Sequence, residues 1–316
     1  MDILKIENLN LSFRLEEGLF KTLYDVSFNL KKGEIHALVG ESGCGKSMTA
    51  MSIINLLPKN AVVESGQVIY KDKKLTDKEL KGLRGTKIAL IPQDPMTSLN
   101  PLYTIGNQIA EVIKKDKTLS KQEVEDKIIE VLNLVKFPNP KEAISSYPHE
   151  LSGGMKQRVI IAMALATNAD VIIADEPTTA LDVTIQAQIM NLLTELKTKF
   201  ETSILLISHD LGLIGQYADE VSVMYSGRIV ENARVNEFFE NPQHPYSKAL
   251  LAALPSNVEN AELKTIPGQP PTIQEQIKGC KFGPRCECFS EDCCLTVPEL
   301  KIVEGSHSVA CNRLLR

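Results

Sequence analysis

One stretch constrains this chain more than any other. Gly40-Glu41-Ser42-Gly43-Cys44-Gly45-Lys46-Ser47 fits G-x-x-x-x-G-K-[ST], the phosphate-binding P-loop. The apolar run Ile35 to Val39 before it reads as a buried strand. Ser47 to Leu57 after it reads as a helix that stops at Pro58. That is the strand–loop–helix setting the motif needs. The residue types follow from the chemistry. Gly40, Gly43 and Gly45 let the backbone turn tightly and aim N–H groups at phosphate oxygens. The start of a helix adds a dipole that favours anions. Lys46 can reach terminal phosphates and Ser47 can offer its hydroxyl to Mg²⁺. The Cys44 side chain reads as packing. The competing reading is a glycine-rich strand-to-helix turn that holds no nucleotide.

The chain has 316 residues, enough for a sizeable core, and its apolar and charged fractions of 43% and 24% are those of an ordinary soluble protein. A formal net charge of -5 gives no support to broad nucleic-acid binding. No apolar run has the length of a membrane span. The start, Met1-Asp2-Ile3-Leu4-Lys5-Ile6, lacks a signal-peptide core. The expectation is a cytosolic chain that meets a membrane only through partners. Cysteine usage is lopsided: Cys44 stands alone and the other six lie between Cys280 and Cys311. In a reducing compartment such a cluster suggests a metal site before disulfides.

Residues 1–34 alternate apolar and polar through Leu4, Ile6, Leu9, Leu11 and Phe13, then Val26, Phe28 and Leu30. They read as antiparallel strands joined near Glu16-Glu17-Gly18. Phe13, upstream of the P-loop, reads either as a ring that stacks on adenine or as a packed strand residue. Gln67 to Tyr70 and Lys87 to Ile91 are strand-like, with a lysine-rich polar stretch between them. Helical spacing then takes over at Ile105, Ile109, Val112 and Ile113, and again from Val124 to Val135. Lys114 to Gln122 is a charged connector. Ile185 to Lys199 reads as an amphipathic helix and Ser203 to Ser208 as a buried strand ending at His209. Val221 to Tyr225 and Arg228 to Glu231 read as a hairpin across Ser226-Gly227. Strands alternating with helices point to an α/β core. From Asn241 onward prolines become frequent, as in an appended loop-rich segment.

Val171 to Ala174 is an apolar strand that ends in Asp175 and Glu176. Ligands of open α/β sheets bind at that edge. Asp175 can help hold Mg²⁺, and Glu176 can orient or deprotonate an attacking water. Leu151-Ser152-Gly153-Gly154-Met155-Lys156-Gln157-Arg158 reads as a helix start, with Ser152 as N-cap and two glycines that allow an anion close approach. This segment resembles the signature motif of ATP-binding-cassette (ABC) ATPases. Its place between a P-loop and an Asp-Glu strand end is that family's order. Gln93, after a strand, matches the glutamine loop; Ala180-Leu181-Asp182 matches the D-loop; His209 matches the switch histidine. The resemblance covers residues 1–240.

The resemblance implies an α/β fold. It would be an ABC-type P-loop nucleotide-binding domain with an antiparallel β subdomain, a helical insert at about 94–165 and a C-terminal cysteine-rich extension over 241–316. It implies two cassettes packed head to tail with ATP between them. Phe13, the stretch Gly40 to Met48 (Glu41, Ser42 and Cys44 included), Gln93, Asp175, Glu176 and His209 would serve one nucleotide. Lys46, Gln93, Glu176 and His209 would do the catalytic work, and Ser47, Gln93 and Asp175 would hold Mg²⁺. Ser152, Gly153, Gly154 and Asp182 would complete the composite site. ATP makes contacts in the closed pair that the open pair lacks, and hydrolysis removes them.

Gln93 to Pro101, Met155 within the signature, and Pro242-Gln243-His244-Pro245-Tyr246 followed by Ala249-Leu250-Leu251 resemble the ATPases of oligopeptide and dipeptide importers, in their D-type subunit. That implies a second ABC ATPase subunit as a heterodimer partner and two membrane-spanning permease subunits. An extracytoplasmic peptide-binding protein would be engaged indirectly, and nucleic acid not at all. The location implied is peripheral, on the cytoplasmic face of the cell membrane. Cys280, Cys286, Cys293 and Cys311 are similar in spacing to a four-cysteine iron–sulfur site of these ATPases. Thiolates suit a [4Fe–4S] cluster, and four of them also suit Zn²⁺. Cys288 and Cys294 are departures, and Cys294 could replace Cys293. His307 reads as a surface residue before it reads as a ligand.

Three other readings stay open, one of them a cluster-based redox or iron-sensing protein that uses ATP incidentally. Nickel and metallophore importers share much of this pattern, with the same motor role. A soluble ABC ATPase acting on nucleic acid would carry a long coiled coil or a second cassette, and neither is visible here.

Overall fold

The computed structural model describes residues 1–114, 119–179, 181–254, 265–275 and 277–313. The chain falls into two compact units, one built from Met1–Thr76 with Leu206–Arg316 and the other from Asp77–Leu205.

The first unit opens with β1 (Asp2–Leu15), β2 (Gly18–Lys31), β3 (Ile35–Val39), α1 (Lys46–Ile53), β4 (Ala61–Tyr70) and the short β5 (Lys73–Lys74). β1 and β2 form the expected hairpin, with Leu15 opposite Gly18 across Glu16-Glu17. The antiparallel order is β2-β1-β4-β5. All five residues of β3 are buried. That is what a continuous apolar run becomes in a parallel sheet covered on both faces.

Helix α1 ends sooner than the apolar pattern implies. Asn55 adopts a left-handed φ of 51°. The Asn55 N–H reaches the Ser52 carbonyl at 3.1 Å, and the Leu56 N–H reaches that of Met51 at 2.8 Å. This double bond pattern around a left-handed residue closes a helix before any proline is needed.

The second unit holds α2 (Asp77–Leu83), β6 (Ile88–Ile91), α3 (Pro95–Ser98), α4 (Ile105–Ile113), α5 (Lys121–Leu134), α6 (Pro140–Ala143), α7 (Gly153–Leu165), β7 (Val171–Asp175) and α8 (Val183–Phe200). The division between the units falls inside β8 (Ser203–Ile207). β6 and β7 pair in parallel, Ile88 with Val171 through Ile91 with Ala174. Caps set the helix starts. Thr104 accepts the Asn107 N–H, and Ser120 with Glu123 closes a capping box that begins α5 inside the stretch read as connector. α2 occupies the polar, lysine-rich stretch to which the pattern assigns no element, with only Leu80 buried. One buried side chain in a short helix leaves little periodicity to detect.

The first unit resumes with α9 (Leu211–Tyr217), β9 (Glu220–Tyr225), β10 (Arg228–Arg234), α10 (Val235–Glu240), α11 (Pro245–Ala252), β11 (Lys301–Glu304) and β12 (His307–Val309). Its strands run in the order β11-β12-β10-β9-β3. β9 lies parallel to β3 and antiparallel to β10. The hairpin turn has φ 42° at Ser226 and 82° at Gly227. Two positive φ values match the twist of the flanking strands. α11 forms within the proline-rich tail because Pro245 is its first residue and His244 Nδ1 accepts the Tyr246 N–H at 3.0 Å. No helix among the described residues is long and apolar enough to cross a membrane.

Candidate nucleotide site and cysteine pocket

Gly40 leaves β3 with φ 151°, and a Cβ there would lie 2.1 Å from the Met224 carbonyl oxygen. Only glycine fits that approach. Gly45 is the N-cap of α1 and brings no side-chain cap to it. The helix thus opens without a side-chain cap, as suits an anion cradle. The Lys46 side chain is buried and donates to the carbonyls of Gly40 and Glu41 at 2.8 and 3.0 Å. Its ammonium is therefore held at the loop. Cys44 is buried, and burial pushes its thiol pKa up. It packs, as its reading had it. Ser42 and Gly43 are exposed, and Ser47, Met48 and Phe13 are half-buried. Phe13 sits in β1 opposite Phe20 and Ala61.

In the second unit Asp175 is the buried last residue of β7. Glu176 follows with φ 47°, a conformation sparsely used by side-chain-bearing residues. One oxygen of its carboxylate accepts bonds from Gln93 Nε2 and Thr179 Oγ1, each at 2.9 Å. Two predicted site residues 83 positions apart, Gln93 and Glu176, are thus in direct contact. Ser152 caps α7 by accepting the Met155 N–H at 3.3 Å. A Cβ on Gly154 would lie 2.9 Å from Ile185 Cγ2, so that glycine lets α7 pack against α8. Asp182 caps α8, accepting the Ile185 N–H at 2.9 Å. Ala180 of the D-loop lies outside the described residues. In the first unit, His209 is exposed just after β8.

A cavity of about 240 Å³ in the first unit has Glu41 to Cys44 in its wall, together with Lys21, Tyr24 and Lys281. Lys281 Nζ lies 3.4 Å from the Tyr24 ring centroid, and burial pulls its pKa down to about 7. A cavity of about 700 Å³ in the second unit is lined by none of the motif residues.

Cys280, Cys286, Cys293 and Cys311 line one small cavity with His244, Phe282 and Gly283. Cys293 is buried while Cys288 and Cys294 are exposed, which separates the two adjacent candidates. Burial pushes the thiol of Cys286 up to about 11 and raises that of Cys280. No group of three or more His, Cys, Asp or Glu among the described residues is arranged to hold a metal ion. His307 is not a surface residue: it is buried, and its Nε2 pairs with Glu231 Oε1 at 2.7 Å. The fully buried Glu231 carboxylate also accepts the backbone N–H groups of Gln243 and His244, at 2.7 and 2.8 Å.

Sequence reasoning missed Tyr246 and Arg285 as neighbours of the P-loop. The Tyr246 hydroxyl accepts the Glu41 N–H at 2.9 Å, and Arg285 pairs with the Glu41 carboxylate at 2.7 Å. The His-Pro-Tyr motif drew attention to Tyr246 without indicating its partner. Nothing local marks Arg285.

A P-loop, a capped double-glycine helix start and a glutamine bonded to the carboxylate after an Asp-ending strand define an ATP-binding-cassette ATPase. Residues 23–179 match the family model described as ABC transporter. Residues 230–293 match the one described as oligopeptide/dipeptide transporter, C-terminal region. The chain belongs to the ABC-transporter ATP-binding proteins that carry that C-terminal region.

It is similar to the dipeptide transport ATP-binding protein DppD of Bacillus subtilis, 46% identical over 98% of this chain and 94% of that protein. Similarity to the oligopeptide transport ATP-binding protein OppD of Salmonella typhimurium is 44% identity over 98% of this chain and 93% of that one. Among solved structures it resembles a dimeric post-hydrolysis ATP-binding cassette bound to ADP and Pi. That match has TM-score 0.66 and 28% identity, and it covers 73% of this chain and 98% of that one.

Proposed function

We propose that this chain is the energy-coupling ATPase of an importer for dipeptides or oligopeptides, working as a heterodimer with a second cassette beneath two permease subunits. The observation that carries the reading is the joint match to a cassette and to the oligopeptide/dipeptide C-terminal region, with near full-length relatives of that kind. Residues 1–240 are the motor and 241–316 the appended extension. The chain works from the cytoplasmic face of the membrane, and a peptide-binding protein on the other side is engaged only through the permeases.

The amides of the Gly40 to Met48 loop, other than that of Glu41, which Tyr246 holds, bind the phosphates together with the Lys46 ammonium, and Phe13 stacks on the base. Ser47, Gln93 and Asp175 supply oxygen donors of the kind Mg²⁺ prefers, and the ion would neutralise charge on the phosphates. Glu176, fixed by Gln93 and Thr179, orients the attacking water and takes its proton. His209 meets the terminal phosphate. Ser152, Gly153 and Gly154, with Asp182 at the D-loop, close over the partner cassette's nucleotide.

For the cysteine pocket we propose a [4Fe–4S] cluster, with Zn²⁺ as the alternative. Four thiols around one cavity support the donor set. Among the described residues the thiols are not arranged as ligands.

ATPase activity of the chain purified with its membrane subunits and binding protein tests the proposal. Stimulation by short peptides is expected. Stimulation by nickel or a metallophore and not by peptide moves the substrate while keeping the motor. Co-purifying nucleic acid with no membrane partner overturns the importer reading.

A further inference from the structure

Glu41 is the second residue of the P-loop, and the C-terminal extension holds it at both its backbone and its side chain. The Tyr246 hydroxyl accepts its N–H at 2.9 Å. Arg285 donates to both carboxylate oxygens, Nη1 to Oε2 at 2.7 Å and Nη2 to Oε1 at 3.0 Å. On the other side of the same peptide, the Gly40 carbonyl accepts Lys46 Nζ at 2.8 Å, and the next carbonyl, that of Glu41, accepts it at 3.0 Å.

Both clamping side chains are themselves fixed. Tyr246 is fully buried, with ring centroids of Tyr225 and Phe282 at 4.7 and 5.3 Å. Arg285 is 9% exposed, and its other donors reach the Pro267 carbonyl at 2.9 Å and the Tyr225 hydroxyl at 3.3 Å. A planar guanidinium in a bidentate pair sets direction as well as charge.

A phosphate cradle binds best when its amides are already aimed, because ordering then costs nothing at the moment of binding. A carboxylate beside a triphosphate also repels it unless a cation neutralises it. Tyr246 serves the first requirement by holding the Glu41 N–H, which fixes the entry to the loop that carries the later amides, and Arg285 meets the second.

We propose that Tyr246 and Arg285 are positioning residues for ATP: by fixing and neutralising Glu41 they shape the P-loop before the nucleotide arrives, so the C-terminal extension sets nucleotide affinity. The proposal rests on the reading of the P-loop as the nucleotide site.

The experiment is calorimetric titration of the full-length chain with MgATP, with the melting temperature of each nucleotide-free variant measured alongside. Lys46→Ala should abolish binding. Tyr246→Phe and Arg285→Lys should each weaken it by about tenfold, the scale of a hydrogen bond to a charged or buried group. Nucleotide-free melting temperatures should stay near that of the unaltered chain. Glu41→Gln combined with Arg285→Lys should bind no worse than Arg285→Lys alone, since the two act through one contact. Where Arg285→Lys loses stability, Tyr246→Phe decides, because its ring stays within the aromatic cluster.

Normal affinity in Tyr246→Phe and Arg285→Lys, with binding lost in Lys46→Ala, overturns this inference and leaves the nucleotide site standing. Losses of affinity that merely track losses in melting temperature overturn it too. An unaltered chain that does not bind MgATP removes the nucleotide reading and the inference with it.

Discussion

Glu176 occupies a backbone conformation that costs a side-chain-bearing residue on the order of 1–3 kcal/mol, and its φ of 47° sits directly after Asp175. The strain turns the carboxylate off the strand end toward Gln93 and Thr179. Glu176→Gln keeps the shape and most of those bonds but removes the proposed base. It should bind MgATP normally and hydrolyse it about 10²- to 10⁴-fold more slowly, measured as phosphate release beside equilibrium binding. Turnover at the ordinary rate would remove Glu176 from that role. At this scale the sequence was legible where a residue acts on its own neighbourhood. Ser152 caps the helix it precedes, and Gly40 fits where a Cβ cannot. It was not legible where the partner is far along the chain. Arg285 finds Glu41 across 244 positions, and His307 finds Glu231 across 76. No spacing rule reaches that far.

Among the elements, the buried strands were the plainest to read, because β3, β7 and β8 are mostly apolar and buried from end to end. The exception inside β3 is His36. It stacks on Phe28 at 5.2 Å, and its Nε2 meets Ser222 Oγ at 2.8 Å. Burial pulls its pKa down to about 4. Glu220 opposes that shift, while Lys31 and Arg234 add to it. The folded state thus holds the ring neutral, whereas the unfolded chain takes up a proton near the ordinary value of about 6.5. Unfolding binds the extra proton, so stability is complete above about 6.5 and falls as pH drops toward 4, by up to about 3 kcal/mol from this group. Melting temperature against pH should be flatter over that window in His36→Gln. Parallel curves would place the titration elsewhere. The elements that the pattern does not indicate, α2 and α11, are short. They are set by a few polar or proline positions and not by a repeating face.

For the whole molecule, the extension does not stand apart from the motor: it lies in the same compact unit as the P-loop. Its cysteines form the other end of the structure that carries Tyr246 and Arg285, since Cys280, Cys286, Cys293 and Cys311 share a cavity wall with His244 and Phe282. Iron, sulfide and zinc analysis of anaerobically purified protein should give about four irons and four sulfides per chain. One zinc without sulfide would make the pocket a structural zinc site, and neither metal would leave it a packed thiol cluster.

The long reach of the clamp on Glu41 also bears on how the protein is made. A chain emerging from the ribosome presents Gly40 to Ser47 early, yet the groups that fix Glu41 lie 205 and 244 positions later. The nascent P-loop therefore waits, recognisable but unfinished, until almost the last segment has been translated. A message cut short before Arg285 would yield a product with every cassette motif intact and a loosened grip on its fuel.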